Sequence, residues 1–149
     1  MRIEEEIKQK KFRNEYQRAT INLLYSSSWL LKRHRDFFVR FSITEQQYNV
    51  LRILKGQFPG AITTSEIKKR MLDMNSDSSR IVDRLALKEL VSKRICKSDK
   101  RLVDVQISEK GLDLLRQIDQ YSEELDRIVS NLTLDEAREL NHLLDKMRN

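Results

Sequence analysis

Hydrophobic residues recur at two different periods along this chain, and the change of period separates helices from a hairpin. Spacings of three and four residues predict six helices, the first with a break near its start, over residues 3–41, 44–54, 63–72, 75–90, 108–132 and 133–147. From residue 94 to residue 107 the period becomes two, with Val103, Val105 and Ile107 on one face, which is typical of a β-hairpin. The pattern indicates a mainly α fold with a small β-wing.

Three of the predicted helices begin with a capping box, in which Thr is followed three residues later by Glu or Gln. These pairs are Thr44 with Gln47, Thr63 with Glu66, and Thr133 with Glu136. Gly56 is placed to end the second helix, and Ala61-Ile62 is a candidate short strand after the loop QFPGA. These signals fix most of the expected helix starts.

The fourth predicted helix opens with NSDSSR, residues 75–80, which contains no apolar side chain although the helix becomes strongly apolar further on. A recognition helix has this pattern, because its N-terminal end enters the DNA major groove while the remainder packs in the core. Ser76, Ser79 and Arg80 are therefore candidates to contact bases or phosphates. Arg84, one turn later, is placed for a backbone phosphate.

Asp77, in the middle of this segment, has three interpretations. Its carboxylate accepts a hydrogen bond from a cytosine amino group, pairs with Arg80 or Arg84, or only stabilises the helix N-terminus. For the whole segment the alternative to DNA recognition is capping, because Ser, Asn and Asp are common at helix starts.

The hairpin that follows carries a charged tip, with Lys97, Lys100 and Arg101 around Asp99. A cation at the end of a β-arm can enter a narrow minor groove, where the negative potential is strongest. Asp99 would be unfavourable there unless it orients Arg101 through a charge-assisted hydrogen bond. The alternative is an ordinary solvated turn, for which Ser-Asp-Lys is a usual sequence.

Positive charge is concentrated in the same region. Residues 66–101 contain 11 Lys or Arg against 6 Asp or Glu, whereas residues 109–149 contain 6 against 10. The chain as a whole has a formal charge of +6. A basic middle beside an acidic C-terminal segment favours a polyanionic partner for the middle of the chain. Together with the order helix, turn, helix, hairpin, it predicts a DNA-binding winged helix-turn-helix.

From Thr44 to about Gly111 the chain resembles the MarR family of bacterial transcriptional regulators. The matching stretches are the 44–54 helix, TTSEI, SRIVDRL, the LV that follows, SDKRLVDVQIS and SEKG, of which Asp99-x-Arg101 is the most specific. The resemblance implies a homodimer with intertwined terminal helices. It also implies that Arg101 enters the minor groove, held by Asp99, and that residues 76–84 read the major groove. The family often has Gly where this chain has Glu89, which predicts a different helix cap, and the QFPGA loop is longer than usual.

The stripe on the fifth predicted helix supports an association between chains. It runs over nearly three heptads, longer than a small winged-helix core can cover, through Leu114, Ile118, Tyr121, Leu125, Ile128 and Leu132. We therefore expect one domain, in which residues 44–107 form the winged helix-turn-helix lobe and residues 1–41 and 109–149 form dimerisation helices.

Many relatives in this family bind a small phenolic or other aromatic effector between the dimer helices and the DNA-binding lobe. Candidate residues for such a pocket are Tyr25, Trp29, His34 and Tyr48, none of which belongs to a family motif. The alternative is that Trp29 and Tyr48 serve in core and dimer packing. The effector-binding residues are therefore left unassigned.

Other chemistry finds little support in the sequence. Cys96 is the single cysteine, and it either packs inertly in the wing strand or acts as a redox switch. A single cysteine cannot form an intrachain disulfide, which suits a reducing cytoplasm. His34, Cys96 and His142 are far apart, which gives no metal site, and no cofactor motif or enzymatic signature is present. Neither a membrane-spanning apolar run nor a signal-peptide core is found.

The sequence therefore predicts a non-enzymatic transcriptional regulator that binds specific double-stranded DNA. We expect a repressor that acts as a homodimer on a pseudo-palindromic operator. The alternatives are a winged-helix adaptor that binds another protein and a DNA-binding protein without sequence preference.

Overall fold

A computed structural model describes the whole chain, Met1 to Asn149. It contains eight α-helices, three β-strands and a 3-10 turn at Val39–Phe41. In chain order the elements are α1 (Ile3–Glu6), α2 (Glu15–Phe38), α3 (Glu45–Lys55), β1 (Ile62–Thr63), α4 (Thr64–Arg70), α5 (Ser78–Leu87), β2 (Val91–Ile95), β3 (Val103–Ile107), α6 (Glu109–Asp119), α7 (Ser122–Arg127) and α8 (Leu134–Arg148). None of these helices has both the length and the apolar composition needed to cross a membrane.

Two of the six helices predicted from periodicity are interrupted, which accounts for the eight that are observed. The break expected near the start of the first helix lies at residues 7–14, where Lys8 has a φ of 54°. The α2 helix then begins afresh, because the Asn14 side chain accepts a hydrogen bond from the Gln17 amide at 2.9 Å.

The long helix predicted over residues 108–132 is the second one to be interrupted. The α6 helix ends at Asp119 and α7 ends at Arg127, so the predicted stripe is not continuous. At the break, the Tyr121 ring lies 5.9 Å from that of Phe41 and 5.2 Å from the guanidinium of Arg40. Ile118 is buried in the core of its own chain, whereas Tyr121 is exposed.

The α5 helix is shorter at both ends than the sequence indicated. It begins at Ser78 rather than at residue 75 or 76, and it ends at Leu87 rather than at Leu90. Leu87, within the predicted helix, is 85% exposed, and Leu72, the last residue of the preceding predicted helix, is exposed as well. Periodicity extended both helices because an apolar residue in a turn continues the stripe without facing the core.

Two of the three capping boxes are complete, those at Thr44 and at Thr133. At Thr63 only half of the box forms. The Thr63 hydroxyl accepts from the Glu66 amide at 3.2 Å, but the Glu66 carboxylate binds the Lys69 ammonium at 2.6 Å instead. That contact also holds the pKa of Glu66 below its ordinary value.

The sheet has the strand order β1-β3-β2, with both pairs antiparallel. In the hairpin, Val91 pairs with Ile107 and Ile95 with Val103, so the first wing strand begins three residues earlier than predicted. The expected short strand near Ile62 is present, and Ile62 pairs with Val105. The added strand covers one edge of β3.

One apolar core unites the winged helix-turn-helix with the ends of the longer helices. It contains 18 buried residues drawn from α2, α3, α4, α5, α6 and the strands, among them Phe38, Leu51, Leu54, Ile67, Val82, Leu85, Val105 and Leu115. Gly111 in α6 packs so closely on Ile107 that an added Cβ would lie 2.7 Å from its Cγ1. The predicted fold, mainly α with a small β-wing in a winged helix-turn-helix, is confirmed.

Glu89 ends α5 in the left-handed region, with a φ of 60°. The amide of Leu90 donates to the carbonyl of Leu85 at 3.0 Å, and that of Glu89 donates to Ala86 at 2.9 Å. This is the Schellman arrangement, which usually has glycine at the left-handed position. The prediction that the missing glycine leads to a different helix cap is therefore wrong. The helix ends with the cap that glycine usually supports, and Glu89 adopts the strained left-handed backbone in its place.

Replacing Glu89 with glycine should stabilise the protein. Relief of left-handed strain of roughly 1–2 kcal/mol is partly offset by the greater freedom of glycine in the unfolded chain, so we expect a gain of about 0.5–1 kcal/mol. Urea unfolding of Glu89→Gly against Glu89→Ala tests this, because the alanine variant loses the same carboxylate and keeps the strain. Equal stability of the two variants would contradict it.

Candidate nucleic-acid interface

Asp77 is the N-cap of α5, and its Oδ1 accepts a hydrogen bond from the backbone amide of Arg80 at 3.1 Å. Of its three interpretations, the structure supports stabilisation of the helix N-terminus. Asp77 forms no ion pair with Arg80 or Arg84 in the free chain. A carboxylate in this position satisfies an end amide and complements the helix dipole.

Ser76 differs from what the sequence indicated. Its residue is only 4% exposed, so its side chain cannot meet a base edge without a movement of the turn before α5. Ser78 is equally buried, and the hydroxyl oxygens of both residues lack a hydrogen-bond partner. The periodicity missed this because the turn folds back against the lobe before the helix begins.

The outer face of α5 is polar and cationic. Ser79, Arg80 and Arg84 are exposed, and neither guanidinium forms an ion pair within the chain. On the opposite face Ile81, Val82 and Leu85 are buried. The helix is therefore anchored along one side and presents the other to solvent, as its sequence pattern predicted.

At the tip of the wing, Asp99 and Arg101 form the contact that the sequence suggested. Nε of Arg101 donates to Oδ1 of Asp99 at 3.0 Å, its Nη2 donates to Oδ2 at 3.1 Å, and its amide donates to Oδ1 at 3.0 Å. The Arg101 side chain is nevertheless 89% exposed. The pair lowers the pKa of Asp99 and raises that of Arg101, in both cases chiefly through the side-chain hydrogen bonds.

The same turn sets the positions of the other two wing cations. The amide of Cys96 donates to the carbonyl of Leu102 at 2.9 Å, and the amide of Leu102 donates to that of Asp99 at 2.9 Å. Lys97 and Lys100 are exposed and form no ion pair. The wing tip thus presents three cations to solvent, of which only Arg101 is held in one orientation.

A contact that the sequence did not reveal joins α5 to the wing. The ammonium of Lys93 in β2 lies 2.5 Å from Oδ1 of Asp83 in α5. Nζ of Lys88, at the end of α5, donates to the carbonyl of Ser42 and to Oε1 of Gln47, the latter at 3.3 Å. No signal in the sequence pairs these residues, because the contacts depend on the strand register and on the packing of α5.

Cys96 is half-buried in the wing, and its Sγ lies 3.0 Å from Oγ of Ser98. The hydrogen bond with Ser98, followed by the amides of Asp99 and Ser98, lowers the pKa of the thiol. No group of three or more His, Cys, Asp or Glu side chains is arranged to hold a metal ion.

The four aromatic or imidazole residues considered for an effector pocket do not converge on one cavity. His34 and Tyr48 both pack on Phe38, with ring centroids at 6.1 and 4.4 Å. Tyr25 instead donates to Glu6 at 2.7 Å, and Trp29 is exposed on α2. For Tyr48 this arrangement favours the packing interpretation.

Comparisons with known proteins agree with this geometry. The MarR family model matches residues 43–103. The HTH-type transcriptional regulator MhqR of Bacillus subtilis (strain 168) is 27% identical over 111 residues, which span 72% of this chain and 74% of that protein. The MarR transcription factor from Planctomyces limnophilus is 28% identical with a TM-score of 0.70, over 91% of this chain and 98% of that one. A mutant MarR from E. coli complexed with operator DNA is 26% identical with a TM-score of 0.79, over 93% and 99%.

The Asp99 carboxyl should titrate below its ordinary range, and the Arg101→Ala variant should return it toward that range. The pKa is lowered in the folded state, so any stability from this pair is present above the ordinary carboxyl pKa and is lost as pH falls through the lowered one. A pH titration of the carboxyl carbons by NMR measures this. An identical Asp99 pKa in both proteins would contradict the assigned contact.

Proposed function

The chain belongs to the MarR family of DNA-binding transcriptional regulators, and on that premise we propose that it represses transcription as a homodimer on a pseudo-palindromic operator. The family and the fold are those of transcription regulators, which are not enzymes. The observation that carries the proposal is the exposed Arg101, held by Asp99 at the wing tip on a lobe that also exposes Arg80 and Arg84.

An arginine fixed in this way suits a narrow minor groove. Its planar guanidinium is already oriented by two hydrogen bonds, so less conformational freedom is lost when DNA binds. The groove concentrates negative potential, which favours the cation. Lys97 and Lys100, on either side of the pair, are proposed to contact flanking phosphates.

In the major groove, the N-terminal part of α5 would supply the readers. Ser79 and Arg80 are exposed in the first turn, where base edges come within reach, and Arg84 lies one turn further along for a phosphate. Asp77 would cap the helix and remain close enough to accept from a cytosine amino group. Ser76 is buried, and we propose no direct base contact for it.

Homodimer formation is supported by apolar surface that the single chain leaves exposed. The α8 helix contains no buried residue, although Leu134, Leu140, Leu143 and Met147 lie on it. The α2 helix likewise exposes a set of large side chains, Leu23, Leu24, Tyr25, Trp29 and Leu31. Exposed apolar surface of this extent on a protein in water indicates a partner surface. A two-fold dimer would place its recognition helices on half-sites about one DNA turn apart.

Repression and effector control complete the proposal. The relative from E. coli is complexed with operator DNA, which supports operator binding as the common activity. A dimer seated on such a site would obstruct access to an overlapping promoter. We propose that any small aromatic effector binds between the dimer helices and the DNA-binding lobe, since the candidate residues share no cavity within the single chain.

Arg101→Ala should weaken binding to the operator by roughly 10-fold or more, because one well-oriented groove contact is typically worth about 1–3 kcal/mol. Fluorescence anisotropy with duplex from the region upstream of its own gene measures the loss. Arg138→Ala removes the same charge from α8, away from the wing, and should leave affinity unchanged. Undiminished binding by the Arg101 variant would refute the wing assignment.

The same assay separates the alternative functions. Binding that survives an excess of random duplex supports a site-specific regulator, and binding that random duplex removes indicates a protein without sequence preference. Absence of DNA binding by the wild-type protein would favour a protein-protein adaptor instead.

Leu140→Glu should convert the dimer to a monomer without unfolding the lobe. Leu140 is 44% exposed in the single chain, so the charge is harmful only where a partner covers it, and two-fold symmetry doubles the penalty. Sedimentation velocity gives the mass, with Asn141→Glu on the same helix as the control. Leu125 is less suitable, because it packs on the core of its own chain. A Leu140→Glu protein that remains dimeric would refute this interface.

A further inference from the structure

One long side chain joins the C-terminal end of α5 to a distant part of the fold. Leu85 is the last buried residue of this helix, and Leu87 is 85% exposed. Lys88 follows directly, and its ammonium donates to the carbonyl of Ser42 and to Oε1 of Gln47, the latter at 3.3 Å. The apolar core therefore anchors the middle of α5, and Lys88 attaches its end.

Both acceptors lie at the junction between α2 and α3. Ser42 follows the 3-10 turn after α2, and its backbone is left-handed with a φ of 57°. No group other than Lys88 donates to the Ser42 carbonyl. Gln47 stands in the first turn of α3 and is 5% exposed, and its Oε1 also accepts from the amide of Thr44 at 3.1 Å. The ammonium of Lys88 thus joins α5 to the end of α2 and to the start of α3.

A small change at this end of α5 has a large effect at its other end. The helix has 10 residues and is about 15 Å long. A tilt of about 10° around its C-terminal end would move its first turn by roughly 2–3 Å, which is close to the rise of about 3.4 Å between base pairs. Ser79 and Arg80 lie in that first turn. The contacts at the end of α5 therefore influence where these side chains meet a duplex.

We propose that Lys88 is a positioning residue that fixes the direction of α5 relative to α2, and thereby the distance between the two recognition helices of the dimer. The inference rests on the proposed function, because α2 carries apolar surface that is assigned there to the partner chain. Lys88 touches no base or phosphate in this role. It contributes to the preference for one half-site spacing rather than to the affinity for DNA in general.

Operator duplexes whose half-site spacing is changed by one base pair in either direction test the proposal. Wild-type protein should prefer one spacing. Lys88→Met keeps a long side chain but removes its donors, and it should lower that preference by roughly 3- to 10-fold, within the range for residues that touch neither ligand.

Lys110→Met is the matched control for charge. Lys110 pairs with Glu89 at 3.4 Å beside the same end of α5, so its loss changes the net charge equally and should leave the spacing preference unchanged. Equal spacing preference in the Lys88→Met and wild-type proteins would overturn the positioning role and leave the proposed function standing. Wild-type protein that binds every spacing equally would overturn both.

Random duplex separates positioning from a direct DNA contact. Loss of a positioning contact should leave the affinity for random duplex, and its dependence on salt, nearly unchanged. Loss of affinity for every duplex, with the slope of log affinity against log salt flattened by about 0.9 per bound chain, would identify Lys88 as a phosphate contact and overturn the proposal.

Lys88→Arg separates hydrogen bonding from a general loss of stability. Arginine keeps a cation with several donors, so this variant should retain most of the spacing preference. All variants are compared well below their melting temperatures, so that partly unfolded protein does not contribute. An arginine variant that behaves like the methionine variant would overturn the role of the two hydrogen bonds.

Discussion

One shared apolar core holds α3, α5 and the wing strands in fixed positions relative to one another. Its fully buried side chains come from different elements and include Leu51 and Leu54 of α3, Val82 and Leu85 of α5, and Val105 of β3. Close packing leaves few alternative positions for the elements that supply these side chains. The core therefore decides at what angle α5 and the wing project, although none of its members faces solvent.

The polar contacts act on the geometry that this core provides. Asp77 caps α5, Lys93 connects that helix to the wing through Asp83, and Asp99 orients Arg101. The two ion pairs are at least partly exposed, so each contributes little to stability. Their effect is on position, because they restrict cations that would otherwise move freely on long side chains. The lobe presents Arg80, Arg84 and Arg101 to solvent. No ion pair within the chain neutralises the charge of Arg80 or Arg84, whereas Arg101 pairs with Asp99.

A second set of contacts connects this lobe to the helices at the ends of the chain. The guanidinium of Arg40 lies 2.5 Å from the carboxylate of Glu124 and 5.2 Å from the rings of Phe37 and Tyr121. Arg52 in α3 pairs with Asp119 at the end of α6 at 2.8 Å. The first pair joins α7 to the 3-10 turn after α2, and the second joins the end of α6 to α3.

Sequence patterns alone predicted the fold class, the winged helix-turn-helix order, most of the helix caps and the pairing of Asp99 with Arg101. These features depend on local periodicity or on residues a few positions apart, where spacing and geometry are directly related. Helix ends were less accurate, as Leu72, Leu87 and the predicted start of α5 demonstrate, because an apolar residue in a turn extends the stripe.

The packing of whole elements determines which candidate residues remain accessible and which distant residues meet. Ser76 is polar and stands beside the recognition helix in sequence, yet the turn buries it. The register of β2 places Lys93 beside Asp83, and the packing of α4 on α5 brings Lys68 and Ser79 to the same depression of the surface. Such contacts depend on the relative placement of whole elements, which is set by the sum of many core interactions rather than by any short stretch of sequence.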